Sequence, residues 1–280
     1  MPGLVLTPPA GVPACRVFVV LQLSTLTNLH TLDLQHAGYA GTSLGALCHL
    51  KQLRRLKLHR PRALPACLAE LTQLETLEIE MGAFPDPEEI SLLEGALPHL
   101  QGLTCLVLSS EALRRYPPAV AQLGRLQRCL VWINNGLNGG PAPDHCLPPG
   151  GACLGSLRWL GLSWTAALQS AAVLAAAQRL EYLCVLDAVG VMATPALAHA
   201  ERWAAFWRWA ACHPSLRCLG LKCEDAESHH TSPRFYFTLL DAVLDLQRRR
   251  PALLVRRKLQ PEGNDPSFWA ELLSLRDIPA

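Results

Sequence analysis

The chain has 280 residues, 50% of them hydrophobic and 17% charged, with 25 basic against 23 acidic side chains. So apolar a chain is not disordered, and a net charge of +2 gives no electrostatic case for nucleic acid, which needs a concentrated basic surface. Leu occurs 55 times while aromatics reach only 6%, a bias produced by one apolar residue reused in a repeating architecture.

Residues 1–22 read as an irregular N-terminal segment or edge strand, with Phe18 to Leu21 as the candidate strand. Pro2, Pro8, Pro9 and Pro13 interrupt the segment, and no basic cluster precedes an apolar run, so no secretory signal is expected. No apolar run reaches the roughly 18 residues that a membrane span needs. No polar capping unit precedes the first repeat, which predicts exposed apolar surface at that end.

From residue 23 a phrase recurs: Leu every three residues, then every two. It runs Leu23, Leu26, Leu29, Leu32, Leu34, and returns as Leu47, Leu50, Leu53, Leu56, Leu58. Further copies run Leu68 to Ile79, Leu97 to Leu108 and, more weakly, Val120 to Val131 and Leu154 to Leu162. Degenerate copies end at Val185 and Leu221. The first strand Leu, or its equivalent, falls at 32, 56, 77, 106, 129, 160, 183 and 219, giving eight units. A two-residue period places both residues of L-x-L on one face of a strand. The three-residue spacing before it suits a helical or 3₁₀ turn packed on that strand. One unit cannot cover its own apolar face, so units stack and their strands pair in parallel. The domain expected from this spans 23–259, with 260–280 as a C-terminal capping segment and Phe268 to Leu275 as a short capping helix.

The segment 134–151, rich in Gly and Pro, is expected to leave the stack as a loop. Ala198 to Cys212 carries Trp203, Phe206, Trp207 and Ala210 at i, i+3, i+4 and i+7, a helical face read as core. Phe235 to Arg250 reads as a second helix stopped by Pro251, and Leu253-Leu254-Val255 as a last strand. Six basic residues between 248 and 258 read as a solvated helix end, with RNA or acidic lipid as the functional alternative.

The phrase resembles the leucine-rich-repeat family over roughly residues 21 to 259. The copy Leu64-Pro65-Ala66-Cys67-Leu68-Ala69-Glu70-Leu71-Thr72-Gln73-Leu74-Glu75-Thr76-Leu77-Glu78-Ile79 is similar to the repeats of cytoplasmic, Ras-group-related plant and animal members. Repeats phrased LTNLHTLDL and LTQLETLEI also look like those of green-plant and algal proteins. The resemblance implies an α/β leucine-rich-repeat solenoid, with a curved parallel β-sheet on the concave side and helices on the convex side. It also implies a cytoplasmic location, the cytoskeleton or the ciliary axoneme included. One departure stands out. The positions where family repeats carry Asn hold Ala37, Pro61, Gly82, Glu111, Thr165 and Glu224, so backbone or water must satisfy those turns.

In this register the residues between the strand Leu face the concave side. The first strands present mixed charge, with Arg55, Lys57 and Glu78, and the later ones present Leu130, Trp132, Trp159, Tyr182 and Leu186. Exposed aromatics beside charge fit a protein-binding surface, because Trp and Tyr are favoured anchors. The alternative is that a loop or helix covers them. The function expected is a non-catalytic scaffold that binds a protein or peptide on this face. A substrate-recognition part of an F-box-type ubiquitin ligase is the alternative, although no F-box precedes the repeats in residues 1 to 22.

The eleven Cys are irregularly spaced, and most fall inside Leu-patterned segments, which reads as reduced, small apolar side chains. No Cys-x2-Cys occurs; Cys218 and Cys223 near His229 and His230 are the nearest approach to a zinc set. Asp144-His145-Cys146 lies in the Gly/Pro loop, where a catalytic group would lack support. No cofactor, metal or enzymatic activity is expected.

Overall fold

A computed structural model of the chain describes residues 4–6, 25–34, 44–61, 63–81, 87–110, 113, 116–133, 147–186, 200–223 and 233–259. Among the described residues ten strands form one sheet in strict chain order: β1 (Leu4–Leu6), β2 (Thr31–Leu34), β3 (Arg55–His59), β4 (Thr76–Glu80), β5 (Cys105–Ser110), β6 (Arg128–Ile133), β7 (Trp159–Ser163), β8 (Tyr182–Leu186), β9 (Cys218–Cys223) and β10 (Leu254–Leu259). Every neighbouring pair is parallel. The register runs through the repeated residue, Leu32 opposite Leu56, Leu56 opposite Leu77 and Leu77 opposite Leu106. This is a leucine-rich-repeat solenoid.

The change of spacing in the phrase has a direct backbone cause. Leu50 N–H donates to Leu47 O and Leu53 N–H to Leu50 O, both at 3.0 Å. The same steps recur from Leu74 to Leu71, from Leu103 to Leu100 and from Leu126 to Leu123. Each is an i to i−3 bond, so residues three apart eclipse and share one face. That stair delivers its apolar edge onto the sheet, and Leu47, Leu50, Leu53 and Leu56 are all buried. Burying each such side chain is worth roughly 1.5–3 kcal/mol. A helical layer about 10 Å wide set against strands about 4.8 Å apart leaves the sheet on the inner side of the curve.

Adjacent repeats are also joined by a backbone bracket just before each strand. His30 O accepts from Arg54 N–H (2.9 Å) and Arg55 N–H (3.0 Å), and Arg54 O accepts from Glu75 and Thr76. The device repeats at Glu75, Thr104, Gln127, Arg158 and Glu181, and Arg217 O accepts from Leu254. The bracket is made by backbone groups, and at Thr104 the side-chain hydroxyl adds a further bond to Glu75 O at 3.0 Å. After β7 the chain turns directly into helix: Ser163 caps the helix Trp164–Gln169, accepting from Ala166 N–H at 3.2 Å. Thr165, one of the positions lacking Asn, therefore sits in a helix.

Among the described residues the convex layer carries five α-helices beside short 3₁₀ turns: α1 (Pro87–Ala96), α2 (Trp164–Gln169), α3 (Ala171–Leu174), α4 (Ala200–Cys212) and α5 (Pro233–Arg249). The face predicted on α4 is core: Phe206 and Ala210 are fully buried and Trp207 nearly so. Trp164 completes it, stacked on Trp203 with centroids 5.5 Å apart and edge-on to Phe206 at 6.0 Å. Arg250 follows α5 and donates to the carbonyls of Ala210 (3.0 Å), His213 (2.8 Å) and Leu216 (2.8 Å), closing the end of α4.

Three expectations need correction or restriction. The strand at the N-terminal edge is Leu4–Leu6, opposite Leu32 to Leu34, and Phe18 to Leu21 lie outside the described residues. Cys48 and Cys67 are not free thiols: they form a disulfide with Cα atoms 5.4 Å apart, tying the 3₁₀ turn of one repeat to the next. Spacing concealed this because the two Cys, 19 residues apart, become neighbours only when the repeats stack. The residues 134–146, the Asp144-His145-Cys146 group, His229, His230 and the segment 260–280 also lie outside the described residues.

Candidate functional site

The concave face divides into two halves of different chemistry. On β3 and β4 it is charged and partly exposed. Arg55 is exposed and forms no ion pair with a described residue; it stands between Thr31 and Thr76 in register. Lys57 faces Glu78 with Nζ and Oε2 3.5 Å apart, and the lysine side chain is 38% exposed. His59 Nδ1 lies 2.6 Å from Glu80, which also meets Arg60 at 3.2 Å. Exposed pairs of this kind contribute little to stability, about 0–1 kcal/mol, so these side chains can exchange partners at small cost.

On β6 to β8 the same face is apolar and covered. Leu130 and Leu186 are each 2% exposed and Trp159 6%, and with Cys184 they form a second apolar cluster separate from the main core. Val107 and Tyr182 pack against it, half-buried. The expected exposure of Leu130, Trp159 and Leu186 is therefore corrected. The reason lies in the row Leu130–Gly161–Cys184–Gly220, where large and small residues alternate across four strands. Gly161 has no side chain, and both the Trp159 indole and the Leu130 isobutyl group fill its space. Arg128, paired with Trp159 in register, holds its guanidinium 5.8 Å from the indole centroid. Trp132 lies in β6 opposite Ser109; the placement of its side chain is outside the description.

The described thiols are not arranged as a nucleophile or a ligand set. Cys105, Cys129, Cys153, Cys184 and Cys218 are buried, and Cys212 is exposed. Burial pushes the Cys153 thiol up to about 11 and raises Cys129 and Cys218. Among the described residues no group of three His, Cys, Asp or Glu could hold a metal ion, and no helix is long and apolar enough to cross a membrane. His213 is buried beside α4, with Nε2 3.1 Å from Ala177 O, and burial lowers its pKa.

The basic C-terminal residues separate in space. Arg248 and Arg249 end α5, with Arg249 paired to Asp245 at 2.7 Å, while Arg256 to Lys258 belong to β10. Sequence reasoning missed Trp164, and it missed a row of arginines before strands β6 to β9. The signal for Trp164 was available: it directly follows a strand Ser and precedes an Ala-rich segment, the pattern of a capped buried helix.

The geometry defines a leucine-rich-repeat solenoid whose concave sheet is charged on β3 and β4 and apolar on β6 to β8. No family model matches the chain, and no curated protein matches it. Among solved structures it is similar to a leucine-rich-repeat protein of Leptospira interrogans, at 16% identity and a TM-score of 0.35, over 84% of this chain and 62% of that one. The chain thus spans less than two thirds of that protein's length, and a likeness this distant carries no argument about partner or activity. The fold rests on strand order, register and the recurring backbone bonds.

Proposed function

We propose that the protein is a non-catalytic interaction scaffold that binds a protein or peptide on the concave face of β2 to β5. The observation that carries this reading is Arg55, an exposed guanidinium with no ionic partner among the described residues, set beside the partly exposed Lys57–Glu78 pair. A fork of donors held by a rigid sheet recognises carboxylates bidentately, and the adjacent ± pair supplies register. Trp159, Leu130 and Leu186 then stiffen the sheet instead of anchoring the partner.

The ubiquitin-ligase and cytoskeletal or axonemal readings have no described residue that favours them. Cytoplasmic placement rests on the repeat phrase, and the Cys48–Cys67 bridge weighs against a reducing compartment.

The test is a charge exchange. Lys57→Glu combined with Glu78→Lys keeps an ion pair at the same register and inverts the pattern a partner meets. Partners recovered by affinity purification with the wild type are lost with the exchanged variant and with Arg55→Glu, at unchanged melting temperature. Full retention of every partner by both variants contradicts the reading.

A further inference from the structure

A second polar surface lies outside the concave face, along the rim where the chain enters strands β6 to β10. It is an open trough of about 840 Å³ whose lining includes Arg125, Arg158, Arg179, Arg217 and Arg250, with Glu181 as the one carboxylate among the described residues. The residues come from successive repeats. Arg125 and Arg179 stand three positions before β6 and β8, and Arg158 and Arg217 one position before β7 and β9.

The charges do not cancel. Glu181 is shared: Oε1 lies 3.2 Å from Arg158 Nε and Oε2 3.9 Å from Arg217 Nε. The Glu181 side chain is 20% exposed, whereas the two guanidiniums are 62% and 63% exposed. One carboxylate therefore orients two guanidiniums by their Nε edges and leaves their Nη ends to solvent. Arg125 and Arg179 are exposed and form no ion pair with a described residue. Arg250 is committed to backbone carbonyls but adds its charge.

We infer that this trough binds an extended acidic peptide segment of a partner protein. Four strands span three spacings of about 4.8 Å, roughly 14 Å, the length of about four extended residues. Arginine is the residue suited to two-point contact with a carboxylate. Among the described residues no aromatic side chain lines the trough, so it offers none of the stacking platforms that single-stranded nucleic acid uses. This surface does not depend on the concave-face reading, and either can fail alone.

The test uses the full chain and a fluorescein-labelled hexaglutamate peptide, read by fluorescence anisotropy at low and at physiological salt. The peptide binds the wild type, more weakly as salt rises. Arg125→Glu with Arg179→Glu weakens binding by about tenfold or more at unchanged melting temperature, Arg125→Gln with Arg179→Gln weakens it less, and Arg202→Glu, at an exposed position of α4 outside both surfaces, leaves it unaltered. No binding to the wild type, equal binding to the double Glu variant, or tighter binding of an oligothymidylate strand than of hexaglutamate would each overturn the assignment.

Discussion

Leu130 leans across the boundary between β6 and β7 onto Gly161, where a Cβ would stand 2.6 Å from its Cδ1 and 3.2 Å from the Trp159 ring. Leu130 and Gly161 are also the last residues paired between those strands. The second apolar cluster thus depends on a residue without a side chain. Gly161→Ala is expected to lower stability by about 1–3 kcal/mol through overpacking, and Trp159→Ala by about 3–5 kcal/mol through a cavity, both read by urea denaturation. A Trp159→Ala chain as stable as the wild type would mean that the indole does not pack there.

Arg250 is a structural residue in spite of its place in a basic run. Its three bonds reach carbonyls that α4 and the following turn leave unsatisfied. Arg250→Ala is expected to cost roughly 2–3 kcal/mol, and Arg250→Lys to recover only part of it, because one ammonium cannot span the three acceptors. Chemical denaturation of the three chains side by side checks the order.

His213 makes stability depend on pH. Burial disfavours its charged form, the bond to Ala177 O partly opposes this, and the charge of Arg250 adds to the lowering. The unfolded chain takes up a proton here near the ordinary value of 6.5, and the folded chain only at lower pH. Lowering pH through that range therefore favours the unfolded state, so this contribution is present above 6.5 and declines below it. Against His213→Gln, the melting temperature of the wild type should fall faster on acidification. Parallel curves for the two chains would contradict it.

The thiols give a mapping experiment. Under native, non-reducing conditions iodoacetamide should label Cys212 quickly and leave Cys129 and Cys153 unlabelled until the chain unfolds, since burial both hides and protonates them. Cys48 and Cys67 should label only after reduction, with a loss of stability of about 3 kcal/mol as the loop they close is released.

The stack itself was legible because its cause is local. Leu47, Leu50 and Leu53 report the 3₁₀ steps, and Leu56 and Leu58 report the inward face of the strand, all within one short segment. The aromatic face of α4 was legible for the same reason. What escaped depends on residues brought together by stacking. Cys48 meets Cys67 only across a repeat boundary, and Leu130 meets Trp159 only because Gly161 lies between them. Leu4–Leu6 escaped because a three-residue strand followed by Pro8-Pro9 has no room for the phrase. The arginine trough escaped because its members sit at two different offsets from their strands.

The division of the concave sheet into a charged, partly exposed half and a buried apolar half is tested most directly by covalent footprinting of the native protein. Amine acylation at Lys57 and hydroxyl-radical oxidation at Trp159 would be read by mass spectrometry against the unfolded chain. We expect Lys57 to react at close to its unfolded rate and Trp159 to be strongly protected. Trp159 oxidised as fast as in the unfolded chain, with Lys57 shielded, would contradict the account.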